Sequence, residues 1–161
     1  MSEHNHLTGP HYGLGSVNHR ALRNLIGNRP LNFVGLVAGS SAQNVAFDAF
    51  GFLVGGRAYE KAEGTNEALA ILDYYGDEKV QAKDTTCFYV VSVNAAGVEN
   101  VTKGKDGELI TPPGIADTEC PIGIIKVVTV AVTFTIGTTS TAASGVTSTF
   151  YDYCHLPVAL P

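Results

Sequence analysis

The sequence predicts an all-β fold, an antiparallel β-sandwich or barrel of the jelly-roll kind, with an N-terminal arm that carries one short helix. Runs of apolar, β-branched and aromatic residues of strand length alternate with tight turns along most of the chain. Only one segment has the end signals and periodicity of a helix. Charged residues make up 16% of the 161 residues, against about 25% in an average soluble domain. Such a composition suits a β shell rich in Gly, Ser and Thr, or a protein that buries surface in an assembly.

The arm is predicted to span residues 1–30, and its regular part is the helix Val17–Ile26. Ser16 is a suitable N-cap, Gly27 a suitable residue after the last turn, and Pro30 a stop. One half of the helix surface is apolar and the other half polar, with Val17, Ala21, Leu22, Leu25 and Ile26 against His19, Arg20, Arg23 and Asn24. A helix of this kind docks on another surface, either the edge of the protein's own core or a neighbouring subunit.

The β body is predicted to span residues 31–161, one domain with strands from the start. Asn32–Ala38 has the composition of a first strand, and Val45–Val54 that of a second. In an extended Val45–Val54 strand, Phe47 and Leu53 share one face, while Phe50 and Phe52 share the other. The sequence therefore predicts burial on both faces, with one face on the domain core and Phe50 and Phe52 available for a subunit interface. Glycines follow at positions 55 and 56 and predict a two-residue hairpin that returns as Arg57–Lys61.

Later segments continue the β pattern, with one ambiguous stretch. Thr65–Tyr75 suits either a short helix or a loop followed by a strand. Further strands, a turn and connections are predicted at Cys87–Val93, Asn94–Gly97 (turn), Val98–Lys103, Gly104–Glu119 (connection), Ile122–Ile136, Gly137–Ser148 (loop) and Thr149–Tyr153. Val130, Val132, Phe134 and Ile136 alternate with Thr129, Thr133 and Thr135, which predicts a half-buried strand with a threonine-bearing outer face.

Charge differs between the arm and the body. Residues 1–30 hold one acid and three arginines, a balance of +2, and residues 31–161 hold 14 acids and 7 bases, a balance of −7; together they give the −5 of the chain. A net acidic body disfavours nucleic acid as a partner, because affinity for nucleic acid comes largely from neutralised phosphates. No apolar run reaches the roughly 18 uncharged residues of a membrane span, and the first residues lack the pattern of a secretory signal. We expect a protein that contacts neither nucleic acid nor membrane and folds in the cytoplasm.

Residues with catalytic or metal-binding chemistry do not form a recognisable motif. Cys87, Cys120 and Cys154 show no paired spacing and are expected to be free thiols. The histidines at positions 4, 6 and 11 are expected to belong to a polar tail, because no rigid element presets their geometry. The acids between Glu60 and Glu78 are interleaved with lysines and are expected to form a solvated face. The sequence thus predicts no metal, no cofactor and no enzymatic activity; an enzyme would require carboxylates or histidines that converge in a cleft.

Several turn and strand motifs carry a resemblance to a known family. They are GGRAYEKA (Gly55–Ala62), VNAAGVENVTKG (Val93–Gly104), ECPIGIIKV (Glu119–Val127), GTTSTAASGVTSTFYD (Gly137–Asp152) and Leu156-Pro157. Over residues 44–157 the chain resembles the capsid decoration proteins (cement or auxiliary head proteins) of tailed bacteriophages. The resemblance implies a virion protein that binds the major capsid protein on the outside of the shell, commonly as a homotrimer at threefold positions. It implies no catalytic residues.

The arm lies outside the region of resemblance, and we expect it to attach the protein to the shell. Val17, Leu22, Leu25 and Ile26 are the expected apolar anchors, and Arg20 and Arg23 are expected to face acidic groups of the shell. An alternative function is a head-fibre or host-surface module that binds glycans through the threonine face and the Gly137–Ser148 loop.

Overall fold

The regular secondary structure of the described residues is almost entirely β-strand. The computed structural model describes residues 27–74, 79–107 and 117–153, without the side chains of residues 72–74. Within these ranges the strands are β1 (Arg29–Pro30), β2 (Val37–Ala38), β3 (Val45–Phe47), β4 (Phe50–Val54), β5 (Arg57–Lys61), β6 (Gly64–Glu67), β7 (Ile71–Tyr74), β8 (Thr86–Asn94), β9 (Glu99–Lys103), β10 (Glu119–Thr129) and β11 (Val146–Asp152). The prediction of an all-β fold is confirmed. The predicted helix Val17–Ile26 lies outside the described residues.

The strands form three sheets. Sheet I has the order β1–β4–β5, sheet II the order β11–β10–β8–β9–β7, and sheet III the order β2–β3–β6. Neighbouring strands pair antiparallel, except that β7 pairs parallel with β9 at one edge of sheet II. The ambiguous stretch after residue 64 therefore contains two short strands, β6 and β7, and no helical turn among its described residues.

Strand β8 lies at the centre of sheet II and is buried on both faces. Its sequence, TCFYVVSVN, is a continuous run of β-branched, aromatic and small residues, the composition expected of a strand that no water reaches. Cys87, Tyr89 and Val91 point to the main hydrophobic core, while Phe88 and Val90 belong to a second cluster on the opposite face.

Residues from all three sheets meet in the main core. Sheet II supplies Tyr89, Val91 and Ile125, sheet I Phe50 and Phe52, and sheet III Val45 and Phe47. Their burial removes several hundred Å² of apolar surface from water, at about 25 cal/mol per Å², and is the main driving force for this arrangement.

A bulge in β10 places Ile122 and Ile125, which are three residues apart, on the same face of the strand, in the main core. The pairing of β10 with β8 shifts between Pro121 and Gly123. Beyond the shift, Ile125 faces the main core and Ile124 the second cluster. Gly123 sits where a Cβ atom would lie 2.4 Å from the side chain of Leu36, so a larger residue would displace the loop that packs there.

The predicted hairpin at Gly55-Gly56 is confirmed. Val54 pairs with Arg57 across a two-residue loop. Both glycines have positive φ, +58° and +78°, the left-handed region that type I′ turns require and that glycine enters without steric cost.

The prediction that Val45–Val54 is one strand with two buried faces is wrong. The strand is interrupted at residues 48 and 49, where the N–H of Asp48 donates to the carbonyl of Val34 at 2.8 Å. Because of this interruption, side chains no longer alternate between the two faces from Phe47 to Phe50, and both rings point to the same side. The rings meet edge to face, with 5.7 Å between their centroids. One apolar face results, and it faces the core.

The expected first strand, Asn32–Ala38, is mostly a loop. Only Val37–Ala38 pairs, with β3. Gly35 has φ +68°, and the carboxylate of Asp152 accepts hydrogen bonds from the N–H groups of Val34 and Gly35 at 3.0 and 2.7 Å. Because a side chain takes these backbone donors, the segment does not need a neighbouring strand.

The strand predicted to run from residue 122 to residue 136 ends at Thr129. The N–H of Ala131 donates to the carboxylate of Asp84 at 2.8 Å, and Ala131 has φ +58°. Val130 is 62% exposed, whereas Phe134 returns to the core and pairs with Gln81. Local alternation predicted a longer strand because it carries no information about the loop that supplies Asp84.

Candidate functional site

The arm joins the body at a fixed point. The side-chain N–H₂ of Asn28 donates to the carbonyls of Asp117 (2.6 Å) and Glu119 (2.8 Å), and its side-chain oxygen accepts from the N–H of Gly55 (2.8 Å). One side chain thus joins the hairpin of sheet I to the start of β10. Next to it, Arg29 and Pro30 pair with β4, so residues 28–30 are part of the β body rather than of the arm.

Apolar side chains are exposed close to this point. Leu31 is 53% exposed, Phe33 51% and Tyr153 38%. Leu31 and Tyr153 line a surface depression of about 350 Å³ together with Arg29 and Pro30. We call Arg29, Leu31, Phe33 and Tyr153 the arm-exit surface. Exposed apolar side chains that lie together are typical of a surface that contacts another protein.

Asp152 ties the arm-exit surface to sheet II. Its carboxylate, at the C-terminal end of β11, holds the N–H groups of Val34 and Gly35. The loop that carries Leu31 and Phe33 is therefore fixed against the end of β11, next to Tyr153.

Buried polar groups elsewhere connect strands and loops. Glu119 is 3% exposed, and its carboxylate accepts hydrogen bonds from Ser92 and from the side-chain nitrogen of Asn100, the latter at 2.6 Å. These three residues belong to β10, β8 and β9, so the carboxylate joins three neighbouring strands of sheet II. Its oxygens are occupied by the protein itself, which suits a structural role.

A second buried polar cluster lies at one end of the main core. Lys103, 2% exposed at its side chain, pairs with Asp106 at 2.6 Å, and the hydroxyl of Tyr89 donates to the side-chain oxygen of Gln81 at 3.1 Å. Burial raises the pKa of the Cys87 thiol to about 12, with nearby Lys103 opposing the shift. Burial likewise raises the pKa of the Tyr89 hydroxyl. Because the thiolate is the nucleophile of cysteine chemistry, Cys87 is inert at neutral pH.

Of the predicted site residues, the structure describes Phe50 and Phe52. Val17, Arg20, Leu22, Arg23, Leu25 and Ile26 lie outside the described residues. Phe50 and Phe52 are 3% and 0% exposed and lie in the main core, where Phe52 stacks on Tyr59 with 5.5 Å between ring centroids. The prediction that these two rings form a subunit interface is wrong, because the break before Phe50 turns them towards their own chain.

The threonine face predicted for glycan binding is divided. Thr129 is 1% exposed and donates its hydroxyl to the carbonyl of Ala82 at 2.8 Å, whereas Thr133 is exposed in the following loop. The segment that begins at Gly137 is held by hydrogen bonds from Thr141 to the carbonyl of Ala42. Glycan binding stays a prediction, without a continuous threonine surface to carry it.

Asn28, Leu31 and Phe33 were not identified from the sequence. The partners of Asn28 lie 89 and 91 positions away, beyond any local pattern. Leu31 and Phe33 are large apolar residues in or next to the stretch predicted to be the first strand, yet both are exposed. The one local signal was the cluster Gly27-Asn28 before Pro30, which is typical of a chain that changes direction.

Neither metal chemistry nor a membrane span is indicated by the described residues. They contain no group of three or more His, Cys, Asp or Glu side chains placed to hold a metal ion. The same part of the chain has no helix long and apolar enough to cross a membrane. Comparisons with family models, with curated proteins and with solved structures find no match to this chain.

Proposed function

We propose that this chain is a structural virion protein that binds the outside of a bacteriophage capsid shell and stabilises it. In this proposal the body is a β-sandwich, with sheet II packed against sheets I and III, and the arm attaches to the major capsid protein. The resemblance of the turn motifs supports the class of protein. The observation that carries the mode of attachment is the arm-exit surface, where Leu31, Phe33 and Tyr153 are exposed around the point at which the arm joins the body.

The physical argument concerns how a small rigid body gains affinity for a large shell. Asn28 fixes the root of the arm, so an arm that docks next to the arm-exit surface loses less orientational freedom than one on a loose linker. An arm that orders on the shell adds buried apolar surface, and several linked copies add avidity without new contacts. The trimer implied by the resemblance stays a prediction, which the mass of the free protein in solution would check.

Co-sedimentation with capsids tests the attachment. The double variant Leu22→Asp/Ile26→Asp places two charges on the apolar half of the predicted helix, and we expect it to bind purified capsids at least about tenfold more weakly, since each buried apolar side chain is worth about 1.5–3 kcal/mol. Asn24→Gln, on the polar half, adds no charge beside Arg20 and Arg23; it is the control and should bind as the wild type does. Equal binding of the double variant would exclude the arm as the anchor, and no binding by the wild type would exclude the proposed function.

A further inference from the structure

Strand β11 is a long edge strand without charges along most of its length. It borders sheet II, pairs only with β10 among the described strands, and runs for seven residues, VTSTFYD. Its only charge is the terminal Asp152, which is occupied by the loop at Gly35. Such an edge presents backbone N–H and C=O groups in the spacing that another strand requires.

The other described edges are shorter or charged. Strand β5, at the edge of sheet I, carries Arg57, Glu60 and Lys61. Strands β1 and β2 have two residues each, and β6 and β7 have four. Charges and short length are common means by which proteins prevent edge pairing. Among the described edges, β11 is the one that runs for seven residues with no charge before its last residue.

The register shows which groups of β11 face outwards. The carbonyl of Phe88 accepts from Gly104, so even-numbered residues of β8 bond towards β9 and odd-numbered ones towards β10. Tyr89 pairs with Ile125, hence odd residues of β10 bond to β8 and even ones to β11. The residues of β11 opposite those even positions are Tyr151, Thr149 and Thr147. The N–H and C=O groups of Ser148 and Phe150 therefore point away from the sheet.

We infer that the outer edge of β11 pairs antiparallel with β11 of a second copy of this chain, about a twofold axis at Thr149. In this register Ser148 of each copy lies opposite Phe150 of the other copy. Because the N–H and C=O groups of both residues point outwards, each of these two pairs exchanges two backbone hydrogen bonds. Thr149 then faces Thr149, a cross-strand pair that stabilises sheets. Asp152 lies opposite Val146, so no like charges meet.

The surface beside β11 favours a second copy over a free peptide strand. Asp152 fixes the loop of Leu31 and Phe33 at the end of β11, next to Tyr153. In an antiparallel pair, this end of one copy meets the start of β11 in the other, so the exposed apolar groups occur twice and symmetrically. They add buried apolar area to the main-chain pairing, which alone is small for a stable interface.

The inference is independent of capsid binding and differs from the trimer implied by the resemblance, because an isologous edge contact closes with two copies. The mass of the full-length protein, measured by light scattering across a dilution series, should correspond to two chains. Thr149→Lys and Thr149→Glu each place like charges across the axis, and each should weaken the dimer at least about tenfold. An equimolar mixture of the two variants should restore the dimer mass.

Two further variants separate pairing from folding. Thr65→Lys, on exposed β6, is the matched control and should remain dimeric. Ser148→Pro removes an outward N–H that sheet II does not use, so it should give a folded monomer. A monomeric wild type at concentrations of about 100 μM, a trimer mass, or a dimer unaffected by the Thr149 variants would each overturn the inference. If the Thr149 variants are monomeric and still co-sediment with capsids, the dimer contact and the proposed function are separate.

Discussion

At the scale of single residues, the buried groups of β8 predict how stability changes in alkali. Cys87 is fully buried, and its pKa rises from an ordinary value of 9.0 to about 12. Between these pH values the unfolded thiol loses its proton while the folded thiol keeps it. The contribution of Cys87 to stability is therefore fully present below about pH 9. As the pH rises from about 9 to about 12, the free energy of unfolding falls by up to about 1.4 kcal/mol per pH unit because of this group. Burial raises the pKa of Tyr89 in the same sense.

Urea denaturation at pH 8, 9 and 10 would measure this slope. Cys87→Ala should lower the stability at every pH because it leaves a cavity, but its loss of stability between pH 9 and 10 should be shallower than that of the wild type. Identical slopes for the two proteins would show that Cys87 is not protected from ionisation. The comparison uses slopes, so the cavity does not affect it.

At the scale of elements, Lys61 joins sheet I to the turn between β8 and β9. Its ammonium lies 2.6 Å from the carboxylate of Glu99, donates to the carbonyl of Gly97 at 2.8 Å, and sits 5.7 Å from the ring centroid of Phe47. The side chains of Lys61 and Glu99 are 21% and 10% exposed, so the pair is only partly screened by water. The lysine therefore couples two sheets that have no strand pairing between them.

A double-mutant cycle of Lys61→Met and Glu99→Gln tests this coupling. We expect each single variant to lose about 1–2 kcal/mol and the pair to show a coupling energy of about 1 kcal/mol, which decreases in high salt. Glu60→Gln, an exposed neighbour on β5, is the control and should change stability by less than about 0.5 kcal/mol. Additive losses for Lys61 and Glu99 would mean that the ion pair does not link the sheets.

Elements whose signal is local could be predicted from the sequence. The two glycines at positions 55 and 56 predict the hairpin turn from their own conformational freedom. The continuous apolar run of β8 predicts a strand buried on both faces, without information from the rest of the sequence. The break before Phe50 and the end of β10 could not be predicted, because they depend on Val34 and Asp84, which lie far away in the sequence. The arm-exit surface could not be predicted either, because the alternation of apolar residues indicates which residues share a face and not whether another part of the chain covers that face.

At the scale of the whole molecule, the boundary between arm and body lies before Asn28, and truncation can locate it. A chain that lacks residues 1–26 keeps β1 and the three hydrogen bonds of Asn28. A chain that lacks residues 1–30 loses both and uncovers one edge of β4 beside the buried Phe52. At about 1 kcal/mol for each hydrogen bond, we expect the longer truncation to be less stable than the shorter one by at least about 3 kcal/mol.

Urea denaturation of the two truncated chains would measure this difference, with Asn28→Ala in the full-length protein as the matched variant. That substitution leaves β1 in place, so it should account for only part of the difference, about 2–3 kcal/mol. Equal stability of the two truncations would place residues 28–30 in the arm. A shorter truncation that fails to fold would show that residues 1–26 stabilise the body itself, and the arm would then be part of the core structure rather than a separate attachment.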